Sequence, residues 1–148
     1  MQYLIPLIFA FVPAERHLQD TAKTDLEQMQ GVWLLIEAQR DPPALQEKML
    51  NTIAVITGDE YKRFTNDNPP MIVRTLRLVA NTNPREIDLI AKNQNGPDFI
   101  YKGIYEIRGP TLRFCFALQG RERPTEFRIG PNSTANSITT YRLLGRSR

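Results

Sequence analysis

The chain has 148 residues, 41% apolar and 24% charged, which suits one domain with a real core and excludes both a disordered chain and a bundle of membrane spans. Its net charge of +3 is too small a surplus to imply nucleic acid as a partner. With a single histidine, His17, and a single cysteine, Cys115, the chain has neither an internal disulfide nor the usual zinc or haem ligand sets.

Tyr3 to Pro13 is apolar throughout, too short to span a bilayer and of the right length for the core of a signal peptide. The reading is a signal peptide over residues 1–19, with Ala14 ahead of the cleavage region, although no Lys or Arg follows Met1. The alternative is a buried N-terminal strand or helix. Cleavage anywhere from Ala14 to Gln19 places His17 in or beside the removed piece. The remainder, residues 20–148, reads as a single domain with no membrane span, repeat or linker.

Thr21 to Gln30 predicts a short amphipathic helix, capped by Thr21 or Thr24, with Glu27 completing a capping box and Gly31 ending it. Val32–Ala38 is a strand by its β-favouring residues, and Asp41-Pro42-Pro43 stops it. Pro43 to Leu50 predicts a second short helix. Strands follow at short spacing over 52–56, 61–64, 71–79, 86–91, 99–107, 111–118, 125–129 and 137–144, separated by Gly, Pro and Asn turns. In the 71–79 strand, Ile72, Arg74, Leu76 and Leu78 share one face. Eight or nine short strands with close turns predict a mostly-β, antiparallel barrel or sandwich. Cys115, inside the apolar run Leu112–Leu118, reads as a buried small hydrophobe.

Several segments carry a likeness: Met29-Gln30-Gly31-Val32-Trp33, Gly58-Asp59-Glu60-Tyr61, Pro84–Leu89, Gly103-Ile104-Tyr105-Glu106-Ile107, Thr111–Cys115, and above all Gly120-Arg121-Glu122-Arg123-Pro124-Thr125-Glu126-Phe127. Together they resemble an uncharacterised family of exported bacterial domains abundant in Planctomycetes, over residues 22 to 144. The resemblance implies export, a single β domain and no established activity. Gly31-x-Trp33, after a helix and at the start of the first strand, is similar to the lipocalin signature. That likeness implies an eight- to nine-stranded lipocalin-like barrel with a short N-terminal helix. It also implies that Trp33 packs against an arginine of the last strand, for which Arg142 is the match, by stacking and cation–π attraction.

No Ser, Cys or His constellation for nucleophilic catalysis is visible, nor a phosphate-binding glycine motif, so the chain does not read as an enzyme. Glu122 and Glu126 flank Pro124 and are candidates for a carboxylate pair of the glycosidase kind. Each has arginine beside it, and an ion-pair network bracing a turn is the competing role. The basic cluster Arg113, Arg121, Arg123 and Arg128 is suited to an anionic head group, and Tyr105, Phe114 and Phe116 to an apolar ligand wall. No metal site or cofactor is expected. A binding module for a small apolar or amphipathic ligand is therefore the first expectation. An interaction or structural module of the cell envelope comes second, and a carboxylate enzyme acting on polysaccharide a distant third.

Overall fold

Runs of β-branched and aromatic residues, each too short for a helix and each ended by Gly, Pro or Asn, leave the chain one way to pair its backbone groups. The computed structural model describes residues 14–43, 46–66 and 70–146, with side chains from Thr21 onward. In order the elements are α1 (Ala14–Met29), β1 (Gly31–Arg40), α2 (Gln46–Met49), β2 (Ile53–Thr57), β3 (Glu60–Phe64), β4 (Met71–Val79), β5 (Arg85–Ala91), β6 (Phe99–Arg108), β7 (Thr111–Ala117) and β8 (Ala135–Gly145). Each strand pairs antiparallel with the next, and β8 pairs back onto β1, giving a closed eight-stranded barrel. Among the described residues no helix is long and apolar enough to cross a membrane.

Two expectations are corrected, and a third falls outside the described residues. The helix covers Ala14–Met29, so Thr21 and Thr24 lie within it and do not cap it. No Gly or Pro stands between Ala14 and Gln30 to interrupt it. The apolar run Tyr3–Pro13 of the expected leader lies outside the described residues. The strand expected over 125–129 is not formed. Pro124 has no N–H to offer a ladder, and closure of the barrel leaves no free edge for a ninth strand.

One end of the barrel is shut by α1. Met29, Trp33, Leu35, Ile56, Ile87 and Leu112 fill the interior there, with Leu26 packed against them. The space bounded by Trp33, Ala54, Ile56, Leu112 and Phe114 leaves no room for water. The Gln-Gly-x-Trp segment is the clasp of this end. The Gln30 side chain accepts from the Gly58 N–H at 2.6 Å and donates to the Gly58 carbonyl at 2.9 Å, tying α1 to the β2–β3 turn. Gly31 has φ +135°, and a Cβ there would sit 2.4 Å from the Gly145 carbonyl oxygen, so only glycine lets β1 and β8 approach. Trp33 Nε1–H donates to the Met29 carbonyl at 2.8 Å, satisfying the end of the helix from inside the core.

The predicted stacking of Arg142 on Trp33 is not made. Trp33 lies opposite Leu143 with its side chain inside the barrel, while Arg142, one residue removed, is exposed on the outer face. Arg146 is the arginine that closes this end. Its Nη1 donates to the Gln28 carbonyl at 2.8 Å, where a cation also complements the C-terminus of α1.

The buried carboxylate Asp25 of α1 reaches the closed end and accepts from the Tyr105 hydroxyl at 2.7 Å and from Arg85 at 2.8 Å. Burial, and then the Asp25 carboxylate as acceptor, push the Tyr105 hydroxyl well above its ordinary value and keep it neutral.

The long β7–β8 connection, residues 118–134, forms a strap over the outside of the barrel. Phe127 and Ile129 cover Ile104, Cys115, Ala135 and Ile138, a small second core on the outer face. Cys115 is fully buried, as expected, but under the strap and not inside the barrel. Burial pushes its thiol up to about 11, against smaller lowering effects from the Arg128 backbone and the Arg113 charge. We therefore expect negligible reaction of native protein with a disulfide reagent at pH 8, and one equivalent on unfolding in urea. A rapid native reaction would mean that the strap opens freely.

Candidate functional site

The end of the barrel away from α1 holds an open cavity of about 220 Å³. Its wall is part aromatic and aliphatic, from Tyr61, Ile72, Leu89, Tyr101, Phe114 and Phe116, and part hydroxyl and amide, from Asn136, Ser137, Thr139 and Tyr141. Phe114 forms edge contacts with Tyr61 and Tyr141 at centroid distances of 6.3 and 5.7 Å, and lies 5.6 Å from Phe116. The Tyr61 and Tyr141 hydroxyl oxygens are 2.9 Å apart and buried. Burial raises both hydroxyls, so the pair stays neutral at physiological pH.

The space for the cavity comes partly from Gly103. A Cβ there would lie 2.4 Å from the Phe116 ring, so glycine lets that ring lie against the β6 backbone.

Three arginines line the same cavity: Arg40 from β1, Arg63 from β3 and Arg74 from β4. Among the described residues no Asp or Glu lines it, and no carboxylate pairs with any of the three. Arg40 is the most constrained. Its Nε is buried without a hydrogen-bond partner, and its Nη1 has only the Met49 sulfur at 3.3 Å. Burial, and then the nearby Arg63 charge, pull the Arg40 guanidinium below its ordinary value. Arg74 lies over the Tyr101 ring at 5.6 Å and donates to the Val73 carbonyl at 2.8 Å.

Strand geometry explains how these three come together. Arg63 follows Tyr61 by two residues, and Arg74 precedes Leu76 by two, so simple alternation turns both inward. Arg40 needs more. A register shift between Leu35 and Glu37 leaves both Ile36 and Glu37 exposed, and this bulge turns Ala38 and Arg40 inward.

Of the seven ligand-binding candidates, only Phe114 and Phe116 line the cavity. Tyr105 is interior but belongs to the closed end, committed to Asp25. The four arginines lie outside. Arg113 covers the Phe127 ring at 4.6 Å and pairs with Glu106, pinning the strap to β7. Arg121 is exposed. Arg128 pairs with Glu126 at 2.9 Å and donates to the Pro131 carbonyl within the strap. Arg123 donates to the Ile87 and Gly103 carbonyls at 2.9 and 2.8 Å and to Asp88 at 2.7 Å. The Gly-Arg-Glu-Arg-Pro-Thr-Glu-Phe segment is thus a clasp holding the strap on the outer face. Glu122 and Glu126 are exposed on it, away from the cavity, so they do not face one cleft. Among the described residues no group of His, Cys, Asp and Glu is placed to hold a metal ion.

An unpaired, half-buried cation is a cost to the empty protein. Arg40→Met, which keeps the volume and removes the charge, is expected to raise unfolding stability by about 0.5–2 kcal/mol in urea denaturation. A loss of stability instead would show that Arg40 has a structural partner.

No family of known sequences, no curated protein and no solved structure matches the chain. The class is therefore defined by the fold and cavity alone: a closed antiparallel barrel with one plugged end and one open, arginine-lined end.

Proposed function

We propose that the chain is an exported, lipocalin-like binding module that holds a small amphipathic ligand in the open half of its barrel. The observation that carries this reading is the cavity itself. It combines apolar walls with convergent polar groups, the combination expected of a small-molecule site. An eight-stranded barrel is either filled by its own side chains or holds one small ligand. This one is filled at the α1 end and open at the other. The size supports a compact ligand: an apolar cavity of about 150 Å³ accepts benzene, so about 220 Å³ takes one ring or a short chain.

Five exposed apolar side chains suit the entry of such a ligand: Phe64, Met71, Phe99 and Leu118 at strand ends on the open side, and Leu50 just after α2. Native mass spectrometry of protein purified from its own host compartment tests the reading. A retained small molecule supports it. A clean unliganded mass, with no shift across a panel of short amphipathic compounds, overturns it.

A further inference from the structure

The three arginines ask for something the described residues do not supply. A cation held partly out of water is stable when an anion sits beside it. At the closed end the chain provides that partner, since Arg85 has Asp25. On the outer face it does so again: Arg77 and Arg123 share Asp88, and Arg128 has Glu126. At the open end Arg40, Arg63 and Arg74 converge with no carboxylate among the described residues, and the buried Nε of Arg40 has no acceptor there. Guanidinium groups bind a carboxylate through paired N–H donors, and those bonds are stronger than neutral ones. The neutral Tyr61–Tyr141 pair adds a hydroxyl donor at the wall, since only one of the two protons is used between them.

We propose that Arg40, Arg63 and Arg74 select a ligand with a carboxylate head, whose short apolar or aromatic tail lies against Phe114, Phe116, Leu89 and Tyr101. This rests on the cavity reading above and adds the sign and position of the head group. The tail is short because the deep half is occupied. Trp33, Ile56 and Leu112 close the floor, and about 220 Å³ is roughly seven water volumes, room for about six to eight carbons.

The test is isothermal titration of the full chain at pH 7 and low salt with octanoate, 1-octanol and acetate. Octanoate is expected to bind about tenfold or more tightly than 1-octanol, because charge-assisted hydrogen bonds form only with the acid. It is expected to exceed acetate by a similar factor, because only octanoate uses the apolar wall. The double variant R40M/R63M is expected to bring octanoate down to the affinity of the alcohol. The comparison on unaltered protein decides the matter even where that variant folds poorly. Octanol equal to or tighter than octanoate overturns the anion selection and leaves the cavity reading standing. Acetate as tight as octanoate overturns the amphipathic reading itself. No binding of any of the three overturns both.

Discussion

Trp33→Ala is expected to destabilise the protein by about 3–5 kcal/mol, the range for removing a fully buried large aromatic side chain. Trp33 has no solvent exposure and belongs to the main core cluster. The space around it has no room for water, so the cavity left behind gains no compensating solvent. The indole also makes a hydrogen bond that an apolar replacement lacks, to the Met29 carbonyl at 2.8 Å. Two effects are thus superposed, and a second variant separates them. Trp33→Phe keeps most of the apolar volume and leaves the carbonyl unpaired, for an expected cost of about 1–2 kcal/mol. Urea unfolding followed by far-ultraviolet circular dichroism measures both, since the only tryptophan is lost. A cost for the alanine variant below about 1.5 kcal/mol would mean that α1 does not seal the barrel as described. The effect on a ligand in the open half is expected to be small, because Trp33 does not line that cavity.

Arg123→Ala is expected to cost about 2–4 kcal/mol, although Arg123 lies in a surface strap. Its guanidinium satisfies two backbone carbonyls, those of Ile87 and Gly103, and half of the charge on Asp88. Asp88 is only 5% exposed, so the variant leaves a buried carboxylate with Arg77 alone. The pH dependence follows. Burial pushes the Asp88 carboxyl up, but hydrogen bonds from Arg77 and Arg123 outweigh it and hold it below the ordinary carboxylate value. A depressed folded value means that the stabilisation is present above the unfolded value, near about 3.9, and is lost as pH falls through the lower folded one. The gap in stability between the natural protein and Arg123→Ala is therefore expected to narrow from about pH 5 to pH 2. A gap that stays constant over that range would assign the loss to the carbonyl contacts and not to Asp88. Octanoate binding, in contrast, is expected to change little, since Arg123 does not line the cavity.

These two residues bear on what was readable beforehand. Trp33 stood out from its setting after a helix and a glycine, and its burial at the barrel's base follows from that local pattern. Its arginine partner differs from the one that the lipocalin likeness implies. Arg142 lies on the outward parity of β8, while Arg146, near the chain end, meets the helix carbonyls. The Gly-Arg-Glu-Arg-Pro-Thr-Glu-Phe segment stood out equally, and its arginines suited a ligand by charge alone. They bind the protein's own carboxylates and carbonyls instead. A cluster of Arg and Glu along a chain does not say whether each charge has a partner across the fold.

The cavity arginines show the same limit from the other side. Arg74 shares a strand face with Ile72, Leu76 and Leu78, and a charge on an apolar face is the mark of an interior polar site. That mark is legible in the sequence. Arg40 was hidden for a different reason. Alternation counted from Trp33 turns it outward, and only the bulge at Ile36 and Glu37 reverses that. The bulge arises from pairing with β8, about 100 residues away in the chain.

By itself the sequence determined the strand-rich class, the positions of the eight strands and most of the turns. These depend on local periodicity and on Gly and Pro, which act over a few residues. Closure of the barrel, the refusal of a ninth strand, the strap over Cys115 and the gathering of Arg40, Arg63 and Arg74 were decided by the tertiary structure. Each depends on which strand pairs with which and in what register, a question answered between residues far apart in the chain.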